Sequence, residues 1–482
     1  MPGVDTPLHV VLRSAPALLP KVRYVFDTLF MAAGIAVNYV EQPPGAGSWV
    51  LYGQPSDTET GLNRCLRITH SPEAWRLFSE TGDVQAAVSV DGLTVVLPQG
   101  STAGDDAHIA FDLAANAFYF LSSWSERVGA GSTRNRQLYS SSVFAKLAIP
   151  QDIVDRYLAR LRAGLNAVSN GSLPPATPWS DGSKYVVVLS HDVDFVSESA
   201  ADTAKEGVKA VLRHLLRQHD VGDAARAGIA FVRTVATGRD PYSGVREIIE
   251  REKALGVGAS FQVAVGHRHP NDVNYRVEND RTRDYLSAIA NEGFDLCLHG
   301  SYRSSENPEW YAEEVRLLER RLGTPRGSRQ HFLSFEYDKL FQAQESSGIE
   351  YDMSMGYPDR IGPRAGFSFP YFPYSLAQDR PYRVLQISLF LMDVTLRSYM
   401  GLKGREAWSA METQLQDLSR KGGCASVVWH PIVFAGARDP GYQDLFWNMV
   451  GHVRETGGLA TDGRTVNALW RKRAATYPSF SG

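Results

Sequence analysis

The residues with the clearest chemical potential follow a short apolar run. Residues 185–189 are rich in β-branched side chains and have the length of a buried strand. The chain then changes abruptly to Ser190-His191-Asp192-Val193-Asp194. Two carboxylates at a strand end could supply a metal ligand beside a general base. A turn capped by aspartate side chains is the alternative, and this motif alone favours neither.

Polar side chains recur where later apolar runs end. His299 follows the run 294–298, and His430 ends a β-branched run immediately before Pro431. Arg329 and His331 lie two residues apart around a strand predicted at 330–335, so they would share one face of it. In a barrel of parallel strands these carboxyl ends would converge on one mouth. The alternatives are a buried core histidine at 331 and a strand-end cap at 430.

This combination of side chains predicts a hydrolase. Imidazole and carboxylate together suit Zn²⁺ or a similar divalent ion that keeps open positions for water and substrate. A second carboxylate can take the proton of the water, and a distal histidine can protonate a leaving amine. An arginine can orient the base through a bidentate pair.

The surrounding elements predict an α/β protein with two domains. Residues 1–175 read as a smaller α/β domain of unknown role, and Gly, Ser and Pro in residues 169–178 mark a linker. Over residues 176–482, strands and helices alternate as in a parallel barrel with helical crossovers. Strands are predicted at 8–12, 49–52, 92–97, 185–189, 258–265, 294–298, 330–335, 383–387 and 425–429. Helices are predicted at 22–33, 112–124, 152–168, 244–255, 281–291, 308–322 and 406–421.

Composition excludes several other classes of protein. The formal net charge of −3 over 482 residues offers no basic surface for nucleic acid. No apolar stretch approaches the length of a membrane span, and no export signal is recognisable, so we expect a cytoplasmic protein. The three cysteines are widely separated and are predicted to be buried free thiols. The histidines of the first domain, including His70 and His108, are assigned structural or surface roles.

In their order along the chain, these motifs resemble the polysaccharide deacetylase family of carbohydrate esterases, in a divergent branch with an extra N-terminal α/β domain. The motifs are Ser-His-Asp-Val-Asp from Ser190, Leu-His-Gly-Ser-Tyr from Leu298, Ser-Arg-Gln-His-Phe from Ser328, Gly-Tyr-Pro-Asp-Arg-Ile-Gly-Pro-Arg-Ala-Gly from Gly356 and Trp-His-Pro from Trp429. The resemblance covers residues 180 to about 470 well. It implies a distorted (β/α) barrel that removes acyl groups from sugars with the help of a divalent metal, most simply zinc.

The resemblance also implies roles for single residues. Asp192 is similar to the family's base, Arg329 to the arginine that holds the base, and His430 to the proton donor. Asp194 and His299 are similar to two metal ligands. The family's second metal-binding histidine is replaced here by Arg303, so His331 is the predicted third ligand, and a metal-free site is the alternative. The predicted substrate-binding residues are Tyr302, Arg303, Arg360 and Arg364.

The function expected from these features is the metal-dependent removal of an N-acyl group from an amino sugar, in the cytoplasmic assembly of a glycan. A metal-independent amidase of the same fold, or a catalytically silent glycan-binding protein, remains open. The pair His267 and His269 could bind a metal, although a solvated loop near the substrate is favoured. Residues 360–374 could form a rim whose rings stack on a sugar, or an ordinary rigid connection.

Overall fold

A computed structural model describes nine ranges of the chain and a few isolated residues. The ranges are 7–44, 47–54, 64–80, 82–97, 104–128, 138–171, 179–196, 244–434 and 441–481, with residues 208, 225, 228, 229 and 232 described singly. Most of the predicted linker, residues 172–178, lies outside the described residues. The division into domains at residues 175 and 176 therefore stays a prediction.

The N-terminal elements surround a five-stranded parallel sheet. The strands in this part of the chain are β1 (Leu8–Leu12), β2 (Val37–Tyr39), β3 (Trp49–Tyr52), β4 (Cys65–Ile68), β5 (Val88–Val90), β6 (Leu93–Val95) and β7 (His108–Ile109). The sheet order is β2-β1-β3-β4-β7, and β5 and β6 form a separate antiparallel hairpin. The helices are α1 (Leu19–Ala33), α2 (Pro72–Arg76), α3 (Leu113–Leu121), α4 (Trp124–Val128), α5 (Val143–Lys146) and α6 (Ile153–Val168).

The N-terminal helices end and pack as their sequences predict. Gly34 ends α1 with φ +75°, a left-handed conformation that glycine adopts without steric cost. Every residue of α3 is buried, in agreement with its apolar sequence on all sides. The strand predicted at 92–97 is shorter than expected, because β6 ends at Val95.

The second part of the chain forms a larger parallel sheet flanked by helices. Its strands are β8 (Val186–Val193), β9 (Ser260–Val263), β10 (Asp295–Gly300), β11 (Gly327–Gln330), β12 (Tyr351–Asp352), β15 (Leu385–Gln386), β16 (Leu389–Met392), β17 (Cys424–Val428) and β18 (Leu459–Thr461), with a short hairpin of β13 (Tyr374–Ser375) and β14 (Arg380–Pro381) beside it. The helices are α7 (Val245–Leu255), α8 (Asp280–Asn291), α9 (Pro308–Arg321), α10 (Tyr337–Ser346), α11 (Gly404–Lys421), α12 (Pro431–Phe434), α13 (Tyr442–Glu455) and α14 (Gly463–Ala474).

Hydrogen bonding curls this sheet into a distorted barrel. The strand order is β15-β12-β11-β10-β9-β8-β17-β16, with β18 beside the first half of β8. The two end strands follow each other in sequence: β15 pairs with β12, and β16 pairs with β17. Residues 385–392 therefore contact both ends of the sheet and close it. The predicted α/β class with a distorted parallel barrel is confirmed, and all carboxyl ends of its strands point to one mouth.

One predicted strand is wrong. The strand expected at 330–335 is β11, which ends at Gln330, and His331–Leu333 forms a 3₁₀ turn. Phe332 and Leu333 take left-handed conformations with φ of +58° and +53°. These angles end the extended conformation that a strand needs, so His331 does not share a strand face with Arg329. The histidine lies instead in the turn at the barrel mouth.

Residues 361–374 are buried and pack against the N-terminal elements, so of the two alternatives for residues 360–374 the structure favours a connection inside the protein over a rim of exposed rings. Phe367, Tyr371 and Tyr374 are each 0% exposed. Tyr24 of α1 packs on the Tyr374 ring at 4.9 Å between centroids, and its hydroxyl donates to the Phe372 carbonyl at 2.8 Å. Burial against an apolar layer removes far more of these rings from water than a rim position would.

The remaining general predictions concern thiols and membrane spans. All three cysteines are free; Cys297 and Cys424 are buried as predicted, whereas Cys65 is half-buried. Within the described ranges, none of the helices combines the length and the apolar character that a bilayer crossing needs.

Candidate active site

Three side chains meet at the barrel mouth with the spacing of metal ligands. Asp194 follows β8, His299 lies near the end of β10, and His331 is the first residue after β11. Asp194 Oδ1 is 3.2 Å from His299 Nε2 and 3.5 Å from His331 Nε2, and all three atoms lie within 4.8 Å of one another. Two ligand atoms at zinc bonding distances in a tetrahedral site are separated by about 3.3 Å. The donor set and its spacing therefore fit a divalent metal.

The polar atoms around this triad are arranged as metal ligands require. His299 Nδ1 lies 2.9 Å from the Arg329 carbonyl oxygen; this acceptor assigns the proton to Nδ1 and leaves the lone pair of Nε2 facing Asp194. Asp194 Oδ1 is buried, and it has no hydrogen-bond partner among the described residues. A buried carboxylate oxygen without a donor is costly, and a bound cation would compensate for it.

Burial and charge set the protonation of the triad. Burial alone would lower the pKa of His299, but the neighbouring carboxylates of Asp192 and Asp194 raise it. Burial lowers the pKa of His331 to about 4, so its imidazole is neutral near pH 7. Burial alone would raise the pKa of Asp194, but the neighbouring histidines His331, His299 and His430 lower it well below its usual range. A neutral imidazole and an ionised carboxylate are the forms that bind a metal.

A buried arginine holds the second carboxylate. Arg329, in β11, is 0% exposed, and its Nη1 donates to Asp192 Oδ1 at 2.5 Å. Its Nη2 donates to Ser190 Oγ and its Nε to the Met353 carbonyl, each at 2.9 Å. The other Asp192 oxygen lies 3.9 Å from His299 Nε2, so it faces the triad. Asp192 is thus fixed beside the triad, with one oxygen directed at it.

A histidine and aspartate pair approaches the triad from the neighbouring strands. His430 Nδ1 lies 2.7 Å from Asp393 Oδ1, and its Nε2 lies 3.4 Å from Asp194 Oδ2. Burial alone would lower the pKa of His430, but the charge and hydrogen bond of Asp393 raise it to about 9. An imidazolium that faces the site can donate a proton at neutral pH.

Asp393 was not found from the sequence. It is 0% exposed and follows β16 directly, as Asp194 follows β8. The strand-end pattern that identified Asp192 and Asp194 is present at Asp393, but the predicted strand ended at residue 387 and so missed it.

Two of the four predicted substrate-binding residues belong to the loop after β10. Tyr302 stacks on His269 with 4.5 Å between ring centroids and meets the edge of Phe332 at 5.7 Å. The Phe332 ring lies 4.4 Å from that of His331 and is 40% exposed, so these rings form an aromatic wall beside the triad. Arg303 is exposed on the same loop and pairs with Glu306 at 3.8 Å.

The other two arginines have contacts away from the triad. Arg364 is 4% exposed and donates to both carboxylate oxygens of Glu126, in α4, at 2.8 and 2.7 Å. These contacts favour a role in joining the barrel to the N-terminal elements. Arg360 is exposed and lies 5.1 Å from the Tyr139 ring centre, in a cleft of about 320 Å³ that it shares with Gln151, Asp152 and Asp417.

Three further histidines can be placed in the structure: His191, for which the sequence predicted no role, and the pair His267 and His269. His191, inside the first motif, is 0% exposed and lies 3.0 Å from Glu252 Oε1 in α7, which supports a packing role. His267 and His269 are half-buried in a loop. In the described part of the chain, the group with metal-ligand spacing is Asp194, His299 and His331, and it includes neither of them.

Comparisons with known proteins give similarity in fold only. No family model matches the sequence, and neither does any curated protein. Similar solved structures include a protein assigned as a polysaccharide deacetylase from Mycobacterium smegmatis, at 16% identity with a TM-score of 0.41 over 61% of this chain and 93% of that chain. Puue allantoinase matches at 15% identity with a TM-score of 0.41 over 63% of this chain and 95% of that chain. A protein assigned as a polysaccharide deacetylase from Pseudomonas aeruginosa PAO1 matches at 14% identity with a TM-score of 0.42 over 63% of this chain and 97% of that chain. Likenesses at this level assign no activity to the chain.

Proposed function

We propose that this protein is a metal-dependent hydrolase that removes an N-acyl group, acetyl or formyl, from an amino sugar or glycoconjugate. One observation carries the proposal. An arginine-held carboxylate (Asp192) and an aspartate-held histidine (His430) both lie within 4 Å of a triad with metal-ligand spacing. Hydrolysis of an amide needs a base, an acid and an electrophile at one point, and this arrangement would supply all three.

The residues that would hold the metal are Asp194, His299 and His331. Two imidazole nitrogens and one carboxylate oxygen form a donor set that suits zinc with open positions. When bound there, the metal would supply Lewis acidity that polarises the amide carbonyl and acidifies a water molecule.

The chain's own residues would handle the protons. Asp192, oriented by the Arg329 guanidinium, would accept the proton of the attacking water. His430, kept protonated by Asp393, would donate a proton to the departing amine nitrogen. The exposed ring of Phe332, with Tyr302 packed at right angles to it, would provide an apolar surface for a sugar ring.

A second candidate is a metal-independent amidase at the same site. Asp194 Oδ2 lies 3.4 Å from His430 Nε2, and an ion pair between them would neutralise part of the Asp194 charge without a metal. In that case the electrostatic stabilisation of the reacting carbonyl would come from His430 alone.

Metal content and amine release, measured on the same preparations, separate the two candidates. We expect one equivalent of metal per chain in the wild type, and at least a tenfold loss of both metal and activity on N-acetylated or N-formylated amino sugars in His331→Ala and Asp194→Ala. His452→Ala is the matched control, because His452 is a half-buried histidine on α13 that packs against Trp408 of α11. Amine release by a protein that retains no metal even after incubation with zinc would favour the metal-independent amidase. The absence of both bound metal and amine release would refute both candidates.

A further inference from the structure

A second group of polar side chains lies at the carboxyl edge of the N-terminal sheet. Ser14 follows β1, Tyr52 ends β3, His70 follows β4, and Asp112 follows β7. These strands are parallel, so their carboxyl ends lie on one edge of the sheet. In open parallel sheets, this edge is where ligands bind.

The geometry of three of these residues is that of a nucleophile, a base and an orienting carboxylate. Ser14 Oγ lies 3.4 Å from His70 Nε2, and His70 Nδ1 lies 3.3 Å from Asp112 Oδ2. Both distances are at the long end of hydrogen bonding, as is common in serine and histidine pairs before a substrate binds. Ser14 and His70 are both half-buried, with 13% of the His70 side chain exposed, and Asp112 is fully buried. The orienting carboxylate is thus the member of the series that is withdrawn from solvent.

Asp112 is held in one orientation by its neighbours. It accepts hydrogen bonds from the backbone N–H groups of Ser71 at 2.8 Å and Ala115 at 2.9 Å, the latter as the N-cap of α3. The Trp75 indole donates to it at 3.0 Å, and the Tyr52 hydroxyl donates at 2.9 Å. The Tyr52 oxygen is also 3.0 Å from His70 Nδ1, so Tyr52 and Asp112 both favour a proton on Nδ1. The lone pair of Nε2 then faces Ser14.

A structural role for this network does not account for Ser14. Capping of α3 and satisfaction of the buried indole need only Asp112, Ser71, Ala115 and Trp75. That role does not require His70 Nε2 to face the Ser14 hydroxyl. Activation of a serine nucleophile does require such a contact.

We infer that Ser14, His70 and Asp112 form a second catalytic site, which cleaves small carboxylic esters by acyl transfer through Ser14. As Ser14 Oγ bonds to the acyl carbon, its proton moves to His70 Nε2. The carbon–oxygen bond of the ester then breaks, and the same proton passes to the departing alcohol. Water, deprotonated by His70, releases the acid and restores Ser14. Esters suit this site better than amides, because an alcohol leaves with less assistance than an amine.

A fluorophosphonate probe tests this site directly, since it bonds to an activated serine oxygen with loss of fluoride and needs no known substrate. The probe is applied to the full chain, and intact mass and peptide mapping locate the adduct. We expect one adduct on Ser14, none in Ser14→Ala, and labelling at least about 100-fold slower in His70→Gln, the usual contribution of a general base. Ser409→Ala, at an exposed position on α11, is the matched control and should label like the wild type.

Each outcome decides the inference. Slower labelling in His70→Gln supports the inference, provided that thermal unfolding shows this variant to be folded. If His70→Gln does not fold, His70→Asn takes its place. An unlabelled Ser14 in the wild type, or equal labelling rates with and without His70, would overturn it. This readout does not depend on the barrel site, so the proposed amide hydrolysis can fail while the second site stands, and the reverse.

Discussion

Replacing Arg329 by lysine would test the proposed base of the barrel site independently of the proposed metal site. The guanidinium reaches three acceptors on different parts of the barrel: Asp192 Oδ1, Ser190 Oγ and the Met353 carbonyl. A lysine ammonium keeps the charge, but it places all its donors on one atom and cannot reproduce this fork. We expect Arg329→Lys to keep one of the three hydrogen bonds.

The magnitude follows from the two hydrogen bonds that are lost. Leaving a buried acceptor without its donor costs about 1–3 kcal/mol, so the loss of two donors should lower the free energy of unfolding by about 2–6 kcal/mol. Asp192 would also lose its fixed orientation. Since a positioned general base contributes about 10²–10⁴ in rate, we expect kcat to fall at least about tenfold. Metal content should not change, because the side chain of Arg329 contacts none of the three proposed ligands and the carbonyl that accepts from His299 remains.

The assay compares urea unfolding, amine release and metal content of one preparation. Arg326→Lys is the matched control, because Arg326 lies just before β11, is 59% exposed in its side chain and pairs with Glu350 at the surface. Such surface pairs contribute about 0–1 kcal/mol, so this variant should resemble the wild type. Unchanged kcat in Arg329→Lys, or a loss of metal equal to the loss of activity, would refute the assignment of Arg329 as the residue that holds the base.

Two further predictions concern the loop after β10 and the aromatic wall. Burial raises the pKa of Glu314, whose carboxylate accepts from the Ser301 N–H at 3.0 Å, from 4.5 to about 7. The stabilising effect of Glu314 is therefore complete below pH 4.5 and is lost as the pH rises through 7. Relative to Glu314→Gln, the free energy of unfolding of the wild type, measured with urea, should fall by up to about 3 kcal/mol between pH 5 and 8. Parallel pH profiles of the two proteins would contradict this. Phe332→Ala should raise KM several-fold with little change in kcat, since a stacked ring binds substrate and transition state alike; steady-state kinetics with an unchanged KM would remove Phe332 from the sugar surface.

The sequence predicted the positions that depend on strand ends. Asp192, Asp194, His299 and His430 each follow or end an apolar run, and in a parallel barrel those ends share one mouth. This inference needs only the alternation of strands and helices and the location of each polar residue relative to a strand. It does not need the length or register of any strand, which is why errors at strand boundaries left it intact.

What the sequence could not predict depends on contacts between distant residues. The rings of residues 360–374 have the composition of a sugar-binding rim, yet they pack against α1 and other N-terminal elements. Composition gives the tendency of a ring to stack but not the partner. The partner of His70 was missed for the same reason, because Asp112 is 42 residues away and becomes its neighbour only through the parallel order of β4 and β7.

The position of His331 explains how the proposed metal site could have a third ligand although Arg303 replaces the histidine expected in the loop after β10. A ligand must bring a donor atom to one point, and the residue that does so need not occupy one place in the chain. His299 on β10 is in register with Arg329 on β11, so the first residues beyond β11 lie beside His299. The left-handed turn at Phe332 and Leu333 ends the strand there, and the His331 ring lies 4.8 Å from that of His299. The neighbouring strand thus provides the imidazole, and the side chain of Arg303 is left exposed at the surface, where it pairs with Glu306.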